Sequence, residues 1–152
     1  NGGEKLRIDA TGAVTMPLQP AFLAQPSSAQ NNIAEGSTVD VVFGTERFDN
    51  NSDFASNTFT APVTGKYQLN CLIRTNALDT DTDYYALELV TSNRTYTSIV
   101  VISSLSSDAG YWTMSLNVLA DMDASDTAVV KFHVLIFFRL LSLLTTGRNN
   151  PS

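Results

Sequence analysis

Charge is scarce in this chain. Asp, Glu, Lys and Arg make up 16% of its 152 residues, and 15 acidic against 9 basic side chains leave a net charge of -6. Phosphate binding wants clustered Lys and Arg. The nine here are scattered, which argues against nucleic acid and against anionic membrane surfaces as partners. The single cysteine, Cys71, leaves no internal disulfide to form. On the apolar side of a strand it reads as a small buried hydrophobe rather than a reactive thiol. The single histidine, His133, has no titratable partner near it in sequence, and no Gly-x-Ser-x-Gly elbow is present. Nucleophilic catalysis therefore has no specific support. No apolar run reaches the ~18 residues of a spanning helix. The longest, 134–144, contains Arg139, so membrane insertion is not expected. The chain opens on Asn1-Gly2-Gly3 without Met or a leader, which suggests a piece of a longer protein whose missing part lies upstream.

What the chain has in abundance is Ser, Thr, Asn and alternating apolar residues. Its length suits one domain. Short runs that alternate with period 2, at regular spacing and bounded by polar turns, point to an antiparallel β-sandwich, with no 3.6-residue stripe to suggest helix. Strands are expected over 21–24, 38–44, 67–74, 84–91, 95–103, 111–120 and 128–134. Turns are expected over 27–36, 49–53, 76–83, 104–110 and 121–126. Tyr85, Leu87 and Leu89 should share one face, as should Trp112, Met114, Leu116 and Val118. Composition and period leave open whether the topology is a jelly roll or an immunoglobulin-like one; no Cys–Trp–Cys pattern favours the latter.

The most telling stretch is 59–69, Phe-Thr-Ala-Pro-Val-Thr-Gly-Lys-Tyr-Gln-Leu. Pro62 fixes its own φ, Gly65 is expected to take a conformation other residues avoid, and a strand begins at once. With Phe43, Asp49, Phe54, Phe59, Pro62, Gly65, Tyr67 and Leu69, this order resembles the signature of the globular C1q domain in the C1q and tumour necrosis factor jelly-roll superfamily. Leu69 and Cys71 stand where that family usually has aromatics, and the gap from Phe54 to Phe59 is shorter. In appearance the chain is nearest to the C1q-like heads of marine bacteriophage tail fibres, through the 6–17 connector Leu-Arg-Ile-Asp-Ala-Thr-Gly-Ala-Val-Thr-Met-Pro and through 19–22 and 91–96. The resemblance implies an antiparallel jelly-roll head, residues 21–135, on a stalk-to-head connector, residues 1–20. It also implies a homotrimer with Tyr67 near its axis. Strands apolar on both faces agree with a self-associating domain: Leu69 and Ile73 with Leu72, and Tyr85, Leu87 and Leu89 with Tyr84, Ala86 and Val90.

Candidate chemistry is sparse. Asp40 and Glu88 are the well-separated strand carboxylates that glycoside hydrolysis would need, and the other acids sit in turns, where Asp is at home for local hydrogen-bonding reasons. The expectation is a non-enzyme. Asp79, Asp81 and Asp83 have the opening spacing of a calcium loop, but Tyr84 and Val90 occupy the places of its Gly and its bidentate Glu. Asp121, Asp123 and Asp126 form a second acidic turn. Calcium is the only cofactor to consider, and a solvated turn is the alternative. Tyr84, Tyr96 and Tyr111 offer sugar-stacking faces, while Trp112 is expected in the core.

The function expected from these features is a trimeric, non-catalytic adhesion head, outside the cell on a virion tail fibre. Its partners would be two further copies of itself and a cell-surface glycan or protein receptor, contacted through loops 49–53, 76–83 and 104–110. A capping module without a receptor and a secreted C1q-like ligand are the alternatives; the latter lacks an upstream Gly-x-y repeat. Residues 136–152 depart from the resemblance. Their almost unbroken apolar run suits a central strand at a threefold axis, a divergent closing element, or an ending other than the native one produced by a changed reading frame.

Overall fold

A computed structural model describes residues 3–135, and among them it contains twelve strands and no helix. In chain order these are β1 (Arg7–Ile8), β2 (Val14–Thr15), β3 (Ala21–Gln25), β4 (Ser37–Asp40), β5 (Thr45–Asn50), β6 (Phe54–Ala55), β7 (Thr58–Thr60), β8 (Gly65–Leu78), β9 (Tyr84–Thr91), β10 (Thr95–Val100), β11 (Ala109–Met122) and β12 (Thr127–Leu135). Every pairing is antiparallel. The 136–152 segment, and with it the readings of its apolar run, lies outside the described residues.

One layer follows the order β10-β9-β12-β7-β6, with β4 also on β12. The other is made of the long β8–β11 pair and the β3–β5 pair. Alternation fills the space between them. Leu87, Phe132 and Val134 meet Leu78 and Met114 in one cluster, and Phe54, Phe59, Leu89 and Ala128 meet Leu69, Ala120 and Met122 in a second. Phe22 stacks on Phe54 at 4.7 Å and on Phe59 at 5.3 Å, which ties β3 to the second cluster.

Residues 7–15 fold as a small two-stranded ribbon. Asp9 accepts hydrogen bonds from the Thr11 hydroxyl at 2.6 Å and from the backbone N–H groups of Thr11 and Ala13 at 2.8 and 3.0 Å, and Gly12 takes φ +88°. Led by the Thr11 hydroxyl, these donors hold the Asp9 carboxyl below its ordinary value. The β1–β2 ribbon leaves Leu6, Ile8, Val14 and Met16 exposed.

Several expectations need correcting. The expected 38–44 strand stops at Asp40, because the Gln30 side chain takes over the backbone, accepting from Val42 N at 2.7 Å and donating to Asp40 O at 3.0 Å. Beyond it, residues 45–50 form β5, so the 49–53 turn narrows to Asn51 and Ser52, both left-handed at φ 71° and 58°. Asp49 holds that turn by accepting from the N–H groups of Asp53 and Phe54. Strand β8 runs on to Leu78, well into the expected 76–83 turn, since Leu78 buries its side chain opposite Ala109. Gly65 does not take a left-handed φ; among described glycines only Gly12 and Gly36 do. Nor does space demand a glycine there: an added Cβ would lie 3.7 Å from the Tyr67 ring, an ordinary van der Waals contact. Trp112, expected in the core, is 38% exposed although Leu78 and Ala109 carry the core beyond it along the same ladder.

Candidate functional site

Most of the signature residues are structural. Phe54 and Phe59 are buried, Phe43 meets Phe54 edge-on at 6.0 Å, and Leu69 closes the same cluster. Pro62 is exposed in the turn before β8. Tyr67 packs edge-on against Phe59 at 5.3 Å and donates its hydroxyl to Val63 O at 2.6 Å, so the aromatic secures its own turn. Cys71 lies half-buried against the core, where burial pushes its thiol up to about 11.

The loops fall into two groups. Turns 76–83 and 104–110 share one end, where Asp108 accepts from Thr80 N at 3.0 Å and Thr80 Oγ1 at 2.9 Å. Those two bonds, the backbone one foremost, hold the Asp108 carboxyl below its ordinary value. The 49–53 turn lies at the opposite end, where Thr60 N donates to Asp53 O and Ala61 N to Asp126 O, each at 2.8 Å. Beside it Arg94 grips both oxygens of Asp121 at 2.7 and 2.8 Å, and Asn93 bonds Asp126 at 3.0 Å.

The structure does not draw Asp79, Asp81 and Asp83 into a metal cage. Among the described residues no group of three or more His, Cys, Asp or Glu side chains is gathered as a metal ion requires. Asp79 Oδ1 accepts from Asp81 N at 2.8 Å, and Tyr85 Oη accepts from Asp79 N at 2.8 Å. A cation here would have to compete with a turn already satisfied by its own backbone.

On the outer face of the β4–β12–β9 sheet, residues far apart in sequence meet. Asp40 and Glu88 stand opposite Lys131 from either side. Lys131 Nζ lies 2.6 Å from Asp40 Oδ1, while His133 Nε2 lies 2.7 Å from Glu88 Oε2 and His133 Nδ1 lies 2.8 Å from Thr38 Oγ1. The partner that sequence spacing could not supply to His133 comes from strand register. Each carboxylate is matched to a cationic or imidazole neighbour on an open sheet face, as in ordinary cross-strand pairing.

The other layer's outer face is different. Leu23 and Phe48 pair across β3 and β5, Leu72 lies on β8, and Leu119 on β11; all four are exposed, Leu72 at 72% and Leu119 at 62%. Tyr111 completes this surface, with the Arg74 guanidinium 5.4 Å above its ring. The polar Gln68, Asn70, Ser115 and Asn117 stand among Leu72 and Leu119 on this face. Leu72 was legible in sequence as the apolar residue on the wrong face of its strand. Leu23, Phe48 and Leu119 needed the register.

Two antiparallel layers, with the 61–64 turn leading into one of the two longest strands, define an all-β sandwich, and its fold is C1q-like. Among solved structures, the globular domain of zebrafish complement 1qA protein is similar, with a TM-score of 0.56 and 17% identity over 76% of this chain and 80% of that one. No protein-family model and no curated protein matches the chain.

Proposed function

We propose that this chain is the head of a non-catalytic, homotrimeric adhesion fibre, and that it acts outside the cell as the receptor-binding tip of a phage tail fibre. The observation that carries the reading is the apolar outer face formed by Leu23, Phe48, Leu72 and Leu119, which a second copy would cover around a closed symmetry axis. The connector supports it: a two-stranded ribbon with exposed Leu6, Ile8, Val14 and Met16 has no core of its own, and three copies side by side would supply one. Three identical heads on one stalk turn weak contacts with a cell-surface glycan or protein into avid attachment without chemistry. The two loop groups at opposite ends offer two receptor surfaces, and Asp108 joins the 76–83 and 104–110 loops into one of them. The capping-module reading shares the same trimer and differs only in lacking a receptor.

Light-scattering mass tests the assembly. Three times the 16.5 kDa chain is expected, and Leu72→Asp with Leu119→Asp should yield single chains. A wild-type mass of one chain would remove the trimer. Binding of the assembled protein to a glycan array and to candidate host cells separates the receptor-binding tip from the cap.

A further inference from the structure

The two ends of the sandwich differ in where the chain arrives. Leu18 and Pro20, just before β3, line one cavity with Val63, Gly65 and Tyr67. Ala21 pairs with Asn50, and Thr64 Oγ1 donates to Asp123 Oδ1 at 3.3 Å. The chain thus enters at the end that carries the 49–53 and 121–126 turns. The β1–β2 ribbon lies on that side too, since the stretch from Thr15 to Ala21 spans at most ~20 Å. The 14 residues of β8 cover about 45 Å from this end to the other. Loops 76–83 and 104–110 stand at the far end, and the 27–36 loop reaches it at Ser37, which pairs with Val134.

At the far end a fixed loop supports a bare one. The 76–83 loop is held from beneath: Tyr85 Oη accepts from Asp79 N at 2.8 Å and donates to Thr82 Oγ1 at 3.1 Å, and Thr82 is fully buried. Its neighbour is pinned at two points, by Ile102, fully buried in the core, and by Asp108, which accepts from Thr80. Between the pins Ser103, Ser104, Ser106 and Ser107 are exposed, and their hydroxyls bond no described residue. Asp79, Asp81 and Asp108 form no ion pair with a described residue. Loops 27–36, 76–83 and 101–110 contain no Lys or Arg, whereas Lys66 and Arg94 stand at the entry end.

This chemistry selects among receptors. A serine hydroxyl both donates and accepts, and a carboxylate accepts twice over, so together they meet the hydroxyls of a sugar in either sense. A sugar bearing carboxylate, sulfate or phosphate would instead meet Asp79, Asp81, Asp83 and Asp108 with no loop cation to offset them. On the fibre-head reading, the entry end faces the stalk and the far end faces outward. Resting on that reading, we propose that the far end, built from the 76–83 and 101–110 loops, is the receptor surface, and that its ligand is an uncharged glycan held by the serine hydroxyls and the aspartate carboxylates.

An array of neutral glucose, galactose and mannose chains beside sialylated and uronate-bearing ones tests this on the full chain. Neutral chains should be held, and held as well in 1 M salt as in dilute buffer, since no charge pairing is involved. The bound neutral chain should slow amide exchange in 76–83 and 101–110 and leave 49–53 and 121–126 unchanged. Ser104→Ala with Ser106→Ala should weaken binding by roughly tenfold or more at unchanged trimer mass, and Arg94→Ala at the entry end should not. Preference for acidic chains, binding that salt abolishes, or protection confined to 49–53 and 121–126 would overturn the proposal. So would a trimer that attaches equally to host cells stripped of glycan, which would mean a protein receptor. A trimer that holds neither glycan nor cell would overturn it too and leave the capping module standing, whereas a single-chain mass would remove the head itself.

Discussion

Tyr67 closes the turn that precedes it, its hydroxyl 2.6 Å from the Val63 carbonyl oxygen while its ring meets Phe59 edge-on at 5.3 Å. Ring and hydroxyl therefore have separable roles. Tyr67→Phe removes one partly exposed hydrogen bond and should cost about 1 kcal/mol. Tyr67→Ala also empties the space against Phe59 and should cost about 3 kcal/mol. Urea unfolding of the two variants reads the difference directly.

Gly44 is held small by a neighbour. A Cβ there would lie 2.2 Å from Ser27 Oγ and 2.9 Å from Ser27 Cβ. Gly44→Ala should destabilise the chain by about 1–3 kcal/mol, since such overlap forces movement. Adding Ser27→Gly should recover part of the loss. A double variant no more stable than Gly44→Ala would refute the contact as the cause.

The Cys71 thiol is raised by burial from 9.0 to about 11, so the folded chain keeps its proton to higher pH than the unfolded chain does. Stability from this group is present below about pH 9 and is lost as pH rises toward 11. Across that window Cys71→Ala should show a shallower decline in thermal midpoint than the parent chain. Thiol-reagent kinetics at pH 8 should be slow until the protein is unfolded.

Arg94 and Asp121 form a two-point ion pair at 2.7 and 2.8 Å, with both side chains more than half exposed. Screening keeps such pairs weak, so Arg94→Ala should cost no more than about 1 kcal/mol. The effect should shrink in 1 M salt. A loss that salt leaves unchanged would point to packing rather than charge.

The sequence was most readable where large apolar side chains alternate strictly along a strand. Tyr84–Thr91 appears as β9 with the expected bounds, because Tyr85, Leu87 and Leu89 alternate strictly and all three are buried. It was least readable where polar side chains do the work of the backbone. Nothing in Thr-Glu-Arg-Phe-Asp-Asn announces β5, whose position is fixed by pairing with β3 and by Asp49 capping the next turn. Trp112 looked like core because period 2 gives the side a residue stands on and not how fully its neighbours cover it. The His133, Glu88 and Thr38 contact was hidden for a related reason: it depends on the register of three strands. Assigning receptor loops from polarity alone joined segments that the fold sends to opposite ends.

The chain enters the sandwich from the β1–β2 ribbon through β3, and β3 is bonded along its length to β5 alone among the described strands. If the chain is a fibre tip as proposed, tension arriving from upstream would pull on this ladder lengthwise, loading its rungs together in shear instead of one at a time. Phe22, wedged between Phe54 and Phe59, would act as the anchor bolt beneath it. The weakest mechanical link of the sandwich would then be this short pair.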